Sequence, residues 1–277
     1  MKKMHKDRGP APSEVLFRCL LEEDTTDVFE RVSEGLSACG NNAERLLSDA
    51  QCLMQEGRLA SARFLNTTAR EEISKSYILV DACRLDTKRH HSVLKSLCQA
   101  FYDHIAKHAY LEVQKSPNFR SMADLKAIWE IEVTRWWPAG YESGEPDMPH
   151  DTYFDRQFPL YTDYNDYDHC WIVPEDSEHR AYFTEFLGED PLSKTINLHK
   201  SWQDAEKVGL CSAQTLSIIN SVFSKVYVNE NTSNEKLIKL YETAAKQIKT
   251  ATGIATELFM ASPLAEMPLY HFASECK

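Results

Sequence analysis

Residues 41–79, NNAERLLSDAQCLMQEGRLASARFLNTTAREEISKSYIL, decide the fold. Ala43, Leu46, Leu47, Ala50, Leu53 and Met54 recur at steps of three and four, the spacing of one apolar helix face. Glu56-Gly57-Arg58 then interrupts the pattern, with Gly57 suited to the left-handed residue that follows a helix. A second helix is expected from about Leu59 to Cys83. So short a connection folds the two back on one another, which begins an antiparallel helical bundle.

Outward from this pair, a third helix is predicted from about Lys88 to Val113 and a fourth from about Ser121 to Trp136, stopping before Pro138. Upstream, residues 13–39 hold two modest helical stretches, the second opened by Thr26 or Asp27 and ended by Gly40. After Pro138 the chain turns to Pro, Gly, Asp and Tyr, and FPLYTDY and HCWIVPE predict one β-hairpin around Asn165 and Asp166. Helix returns near Leu198, and residues 234–259 repeat apolar positions as one amphipathic rod. The expected fold is mainly α: an antiparallel helical bundle with a short β-hairpin and loop segment and additional C-terminal helices. Four parts follow: a helical arm (1–37), the bundle (38–137), an acidic Tyr/Asp-rich segment (138–192) and C-terminal helices packing on the bundle (193–277).

Composition narrows the function classes. With 277 residues, 43% hydrophobic and 26% charged, the chain can bury a sizeable core and is not a disordered one. No apolar run approaches the ~20 residues of a membrane span, and the basic start MKKMHKDRGPAPSEVL lacks the apolar stretch of a secretory signal. A cytoplasmic location without membrane association is expected. Eight cysteines without a C-x-x-C pair argue against a zinc ribbon, a redox motif or a disulfide framework. Most sit among apolar neighbours, as reduced core thiols do.

The net charge of −11 is unevenly placed. Residues 140–190 carry fourteen acids against Arg156 and Arg180, so the rest of the chain is nearly neutral. Within that rest, residues 84–115 hold six Lys or Arg, four His and three acids, a basic island.

The stretch AREEISKSYIL (69–79) carries the first candidate chemistry. At ~100° per residue, Leu65, Ala69, Glu72, Ile73, Ser76 and Val80 share one helix face, with Glu72 near its middle. Lys75 lies at the edge, one turn from Glu71 and Glu72. A lone buried carboxylate costs several kcal/mol, so Glu72 is expected to be paired, hydrogen-bonded or neutralised. The plain alternative is a structural Glu72–Lys75 pair or a solvated face.

On the third helix, Leu94, Leu97, Cys98, Phe101 and Ile105 form the apolar stripe, flanked by His104 and His108. Asp103, His104, Lys107 and His108 fall within about a turn and a half, with Asp103 expected to be solvated. Histidine suits proton transfer at neutral pH, and a nearby lysine suits a phosphate. The plain alternative is a satisfied core histidine.

Together these clusters resemble the abortive-infection AbiV family, a branch of the HEPN superfamily of small helical proteins. The resemblance rests on Asn42–Ala50, Gly57-Arg58, Ala69–Lys75 and Phe101–Lys107, then on Leu160, Tyr161, Asp163, Tyr164, Trp171 and Pro174. Ser74 stands where that family commonly has glycine. The R-x(4–6)-H motif of ribonuclease members has one formal match in the core region, Arg84 to His90, across an expected helix-loop junction.

The resemblance implies a HEPN-like bundle and a phage-defence protein that arrests the infected cell by cleaving or binding RNA as a homodimer. Its catalytic candidates are His104 as proton carrier, Lys75 and Lys107 on phosphate, and Glu72 orienting His104 or Lys75. Arg70, Lys95 and His108 are the candidate RNA contacts. Neither metal nor cofactor is required. A phage-encoded protein is a candidate trigger or inhibitor, and the acidic segment a candidate cover for the basic island. The alternatives are a non-catalytic module that senses a phage protein or sequesters a translation component, and a metal enzyme using Glu72 and His104. DYNDYD (163–168) lacks the glycine of a calcium loop, and tyrosines and tryptophans of 136–171 are expected in the core.

Overall fold

The computed structural model describes residues 10–21, 25–115, 121–134, 156, 159–165, 170–174 and 191–273, and they are mainly helical. Helix α1 (Pro12–Leu21) precedes α2 (Thr25–Gln55), which turns into α3 (Leu59–Arg84). The turn is a Schellman cap: Gly57 takes φ 76°, its N–H donates to Met54, and the Arg58 N–H donates to Leu53. Gly35 lies close to Leu79, Cys39 faces Glu72 and Lys75, and Leu46, Leu47 and Ala50 pack on Ala69. Partners that descend along α3 as α2 ascends make the pair antiparallel.

Three expectations about element ends are corrected. Gly40 does not stop a helix: α2 runs through it unbroken, so the division at 37/38 falls inside one rod. A helical glycine costs only about 1 kcal/mol, which the packed face of a 31-residue helix outweighs. The third predicted helix is two, α4 (His91–Ala100) and α5 (His104–Lys115), because the Asp103 carboxylate accepts the Ala106 N–H at 2.8 Å and starts α5 afresh. The rod predicted over 234–259 ends at Thr252, where Gly253 adopts φ 79°.

Beyond α6 (Met122–Thr134), strand β1 (Asp163–Asn165) pairs antiparallel with β2 (Cys170–Ile172), placing Tyr164 opposite Trp171. The remaining described elements are α7 (Pro191–Lys207), α8 (Ala213–Phe223), α9 (Asn234–Thr252), α10 (Thr256–Met260), a 3-10 turn (Pro263–Ala265) and α11 (Tyr270–Ala273). Most of the acidic segment lies outside the described residues.

One apolar core runs from Leu20 to Ala273 and joins both ends of the chain. Helix α3 is its axis, since every residue from Ser76 to Leu85 is buried. Helix α5 lies beside it in the same direction: Glu71 meets His104 and Lys107, Ser74 meets Lys107, and Asp81 meets Tyr110. The Glu-Glu pair of α3 lies just ahead of its fully buried stretch, where Glu71 is buried and Glu72 only partly so. Among the described cysteines, Cys39, Cys83, Cys98 and Cys211 are buried and unbridged. Burial pushes each of these four thiols up to about 12, so they are inert core groups. No helix among the described residues is long and apolar enough to cross a membrane.

Candidate functional site

Glu71 is the centre of the site, where Glu72 was expected. Residues 71, 74, 78 and 81 form a stripe of α3 at steps of three and four, and this stripe faces α5. The Glu71 side chain is 8% exposed and takes donors on both oxygens. Lys107 Nζ, itself only 5% exposed, donates to Oε2 at 2.7 Å. His104 Nδ1 lies 3.0 Å from each oxygen. Arg156 reaches in from the acidic segment to Oε1, and its Nη1 is 2.7 Å from His104 Nδ1.

The local sequence explains these positions. Asp103 caps α5, which sets His104 and Lys107 one turn apart on the side facing α3. The buried Ser74 hydroxyl donates to the Lys107 carbonyl at 2.6 Å, tying α3 to α5 beside the carboxylate. A glycine at this position would lack that bond. Burial pushes the Glu71 carboxyl up, but the Lys107 bond and charge, the Arg156 bond and the His104 ring outweigh it and hold it below its ordinary value. Glu71 is therefore a fixed anion between three basic groups.

Of the three, His104 is the most open, with its side chain 34% exposed. Its Nδ1 is committed to the Glu71 side, so chemistry toward a ligand falls to Nε2. Lys107 is sealed beneath it. Lys107 was expected to hold phosphate; here its ammonium pairs with Glu71.

The other sequence candidates separate. Glu72 accepts from Lys75 at 2.7 Å, both side chains partly buried, and Lys75 Nζ stands 5.2 Å from the centroid of the Phe101 ring. Glu72 thus meets Lys75, and the carboxylate that meets His104 is Glu71. The proposed metal pair of Glu72 and His104 is not assembled, and no group of three or more metal-ligating side chains occurs among the described residues. Arg70 pairs with Glu112 and His108 with Glu132, while Lys95 is exposed on α4. These three are not gathered around Glu71.

Arg84 and His90 form no site. Arg84 is buried, donates to Asp81 at 2.8 Å and to the Leu264 and Glu266 carbonyls, and stacks over Phe223 and Tyr241. His90 stacks on Tyr227, 4.6 Å between ring centroids. Tyr161 and Trp171, expected in the core, are 62% and 66% exposed.

Sequence reasoning missed Glu71 and Arg156. The first was visible as the other half of the Glu-Glu pair. No local signal marks Arg156 beyond its being one of two basic side chains, besides histidine, in residues 140–190.

The class comes from comparison with known families: a HEPN-type family model covers the bundle and the Glu71–His104 cluster. The AbiV family model of this class, HEPN_AbiV, matches residues 31–188, more than half of the chain. The chain belongs to the AbiV family. No curated protein and no solved structure matches it.

Proposed function

We propose that this AbiV-family chain is an abortive-infection phage-defence protein that acts on RNA through the Glu71–His104 centre as a homodimer, arresting growth of the infected cell. The observation that carries the reading is a partly exposed imidazole held by a buried, ionised carboxylate. RNA cleavage without a metal needs a group that takes the ribose 2′-hydroxyl proton, one that protonates the leaving 5′-oxygen, and cations for the phosphorane charge. His104 Nε2 is the proton carrier, Glu71 orients it, and Lys107 keeps Glu71 charged without touching the ligand. Arg156 and Lys75 are the cations near enough to solvent to meet phosphate. The exposed Tyr161 and Trp171 rings offer faces on which unpaired bases stack.

The test is incubation of the purified full-length protein with total RNA, beside His104→Ala and Glu71→Gln. Cleavage by the wild type and its loss in both folded variants supports the reading. Intact RNA in all three ends the catalytic part of it.

The burial of Lys107 favours a second reading, in which the cluster is a structural network of a module that binds a phage protein or a translation component. On that reading His104→Ala destabilises the chain and leaves RNA untouched throughout.

A further inference from the structure

We propose that Arg156 is a positioning residue that holds His104 in the tautomer bearing its proton on Nε2. An arginine keeps its proton at any ordinary pH, so Nη1 can only donate. A contact of 2.7 Å from Nη1 to His104 Nδ1 is a hydrogen bond only when Nδ1 carries a lone pair. The same Nη1 carries two hydrogens, and the other is directed to Glu71 Oε1. One guanidinium nitrogen thus bridges the carboxylate and the ring.

The ring has a competing arrangement. Nδ1 lies 3.0 Å from both Glu71 oxygens, well placed to donate a proton of its own if Arg156 were absent. That tautomer would present a bare lone pair on Nε2. Lys107 stays on Oε2 either way, so the carboxylate remains an anion and only the ring proton changes place.

The consequence rests on the ribonuclease reading above. With Arg156 engaged, the neutral ring offers Nε2–H, which can hydrogen-bond a phosphate oxygen but leaves no lone pair there to take a proton. With Arg156 withdrawn, Nε2 offers its lone pair, the form that takes a proton from a ribose hydroxyl. An arginine from the acidic segment thus decides whether the neutral ring can serve as the base. Glu71, which only accepts, favours the opposite tautomer, and Lys107 stays on the carboxylate.

The experiment is long-range proton–nitrogen NMR on the full-length chain labelled with nitrogen-15 histidine, under alkaline conditions where the ring is neutral. The His104 signals are assigned as those missing from His104→Gln. In the wild type, Nδ1 is expected to be pyridine-like and Nε2 pyrrole-like. Arg156→Met, which keeps the aliphatic length and removes every N–H, is expected to reverse the two, and Arg156→Lys to restore the wild-type pattern at least in part. A protonated Nδ1 in the wild type overturns the proposal even if no variant folds. An unchanged pattern in folded Arg156→Met overturns it as well. RNA cleavage measured beside the spectra keeps the two readings apart: a reversed pattern without cleavage in any sample supports the role of Arg156 and removes the ribonuclease.

Discussion

Glu71 and Asp81 lie about three turns apart on the same stripe of α3, and each meets basic or hydroxyl groups across the interface with α5. Asp81 is fully buried and accepts from Arg84 at 2.8 Å, from Tyr110 at 3.1 Å and from the Leu269 N–H at 2.7 Å. Burial pushes its carboxyl up, and those donors oppose it. Glu71 has as many basic partners, but one of them, His104, opens to solvent and another, Arg156, is also partly exposed. Two carboxylates of one helix thus head a sealed network and an open one. Of the two, the open one contains a titratable ring that solvent reaches.

The sharpest way to break that contrast is to remove the carboxylate from the sealed network. Asp81→Ala strands the Arg84 guanidinium, 2% exposed, and releases the Leu269 N–H that docks the C-terminal segment. Unfolding by urea should show a loss of about 3–5 kcal/mol, the range for one partner removed from a buried ion pair. Replacing both charges, Asp81→Leu with Arg84→Met, should cost clearly less than the single change. A double variant as unstable as Asp81→Ala would mean that packing around the network, and not the stranded charge, dominates.

At the open network the same deletion should weigh on chemistry more than on stability. Glu71→Gln keeps an acceptor for Lys107 or Arg156 but not the charge, and should cost about 1–3 kcal/mol. His104→Ala, at a partly exposed position, should cost no more than about 1 kcal/mol once solvent screening is allowed for. RNA cleavage, in contrast, should fall about 100-fold to 10,000-fold in His104→Ala, the usual contribution of a general acid–base group. If His104→Ala destabilised the chain as much as Asp81→Ala does, the two networks would be alike and both structural.

Acid titration sharpens the comparison further. The Glu71 carboxyl is held below its ordinary value of 4.5, so its stabilisation is complete above that pH and is lost as pH falls through the lower folded value. Denaturation midpoints of the wild type should therefore decline more steeply below about pH 4.5 than those of Glu71→Gln. Parallel curves would show that Glu71 is not held as an anion.

How much of this was legible follows from where each residue sits. The α2–α3 turn was legible because Gly57 must take a positive φ and the apolar steps on either side are regular. The meeting of an α3 acid with His104 was legible too, but its identity was not. Periodicity of the apolar residues put Glu72 on the buried face, whereas the face that meets α5 carries Glu71, Ser74 and Asp81. The break before α5 carried a signal, an aspartate three residues before the N–H it caps, which the apolar stripe through Phe101 and Ile105 overrode. Arg156 was beyond any such signal. It lies fifty-two residues from His104 in sequence and reaches it only in the folded chain.

A third buried group tests the rule that donors, not burial alone, make a polar residue tolerable. His199 on α7 is 5% exposed, and neither ring nitrogen has a partner among the described residues, nor has the nearby Trp202 indole N–H. Both line a cavity of about 30 Å³ between α7 and α2. Burial pushes the His199 ring below its ordinary value of 6.5, against a weaker upward pull from Glu44 and Glu206. The sign follows from linkage: below about pH 6.5 the unfolded ring binds a proton that the folded ring resists, so stability declines there and levels off once the folded ring is protonated too. His199→Phe should remove that decline, and at neutral pH it should change stability little, because the cavity leaves room for the ring and no hydrogen bond is given up. Thermal midpoints at about pH 7.5 and about pH 5.5, on either side of the free histidine value, decide it. Equal declines in both proteins would show that His199 is satisfied by water in the cavity, and that the carboxylate networks alone set the acid response.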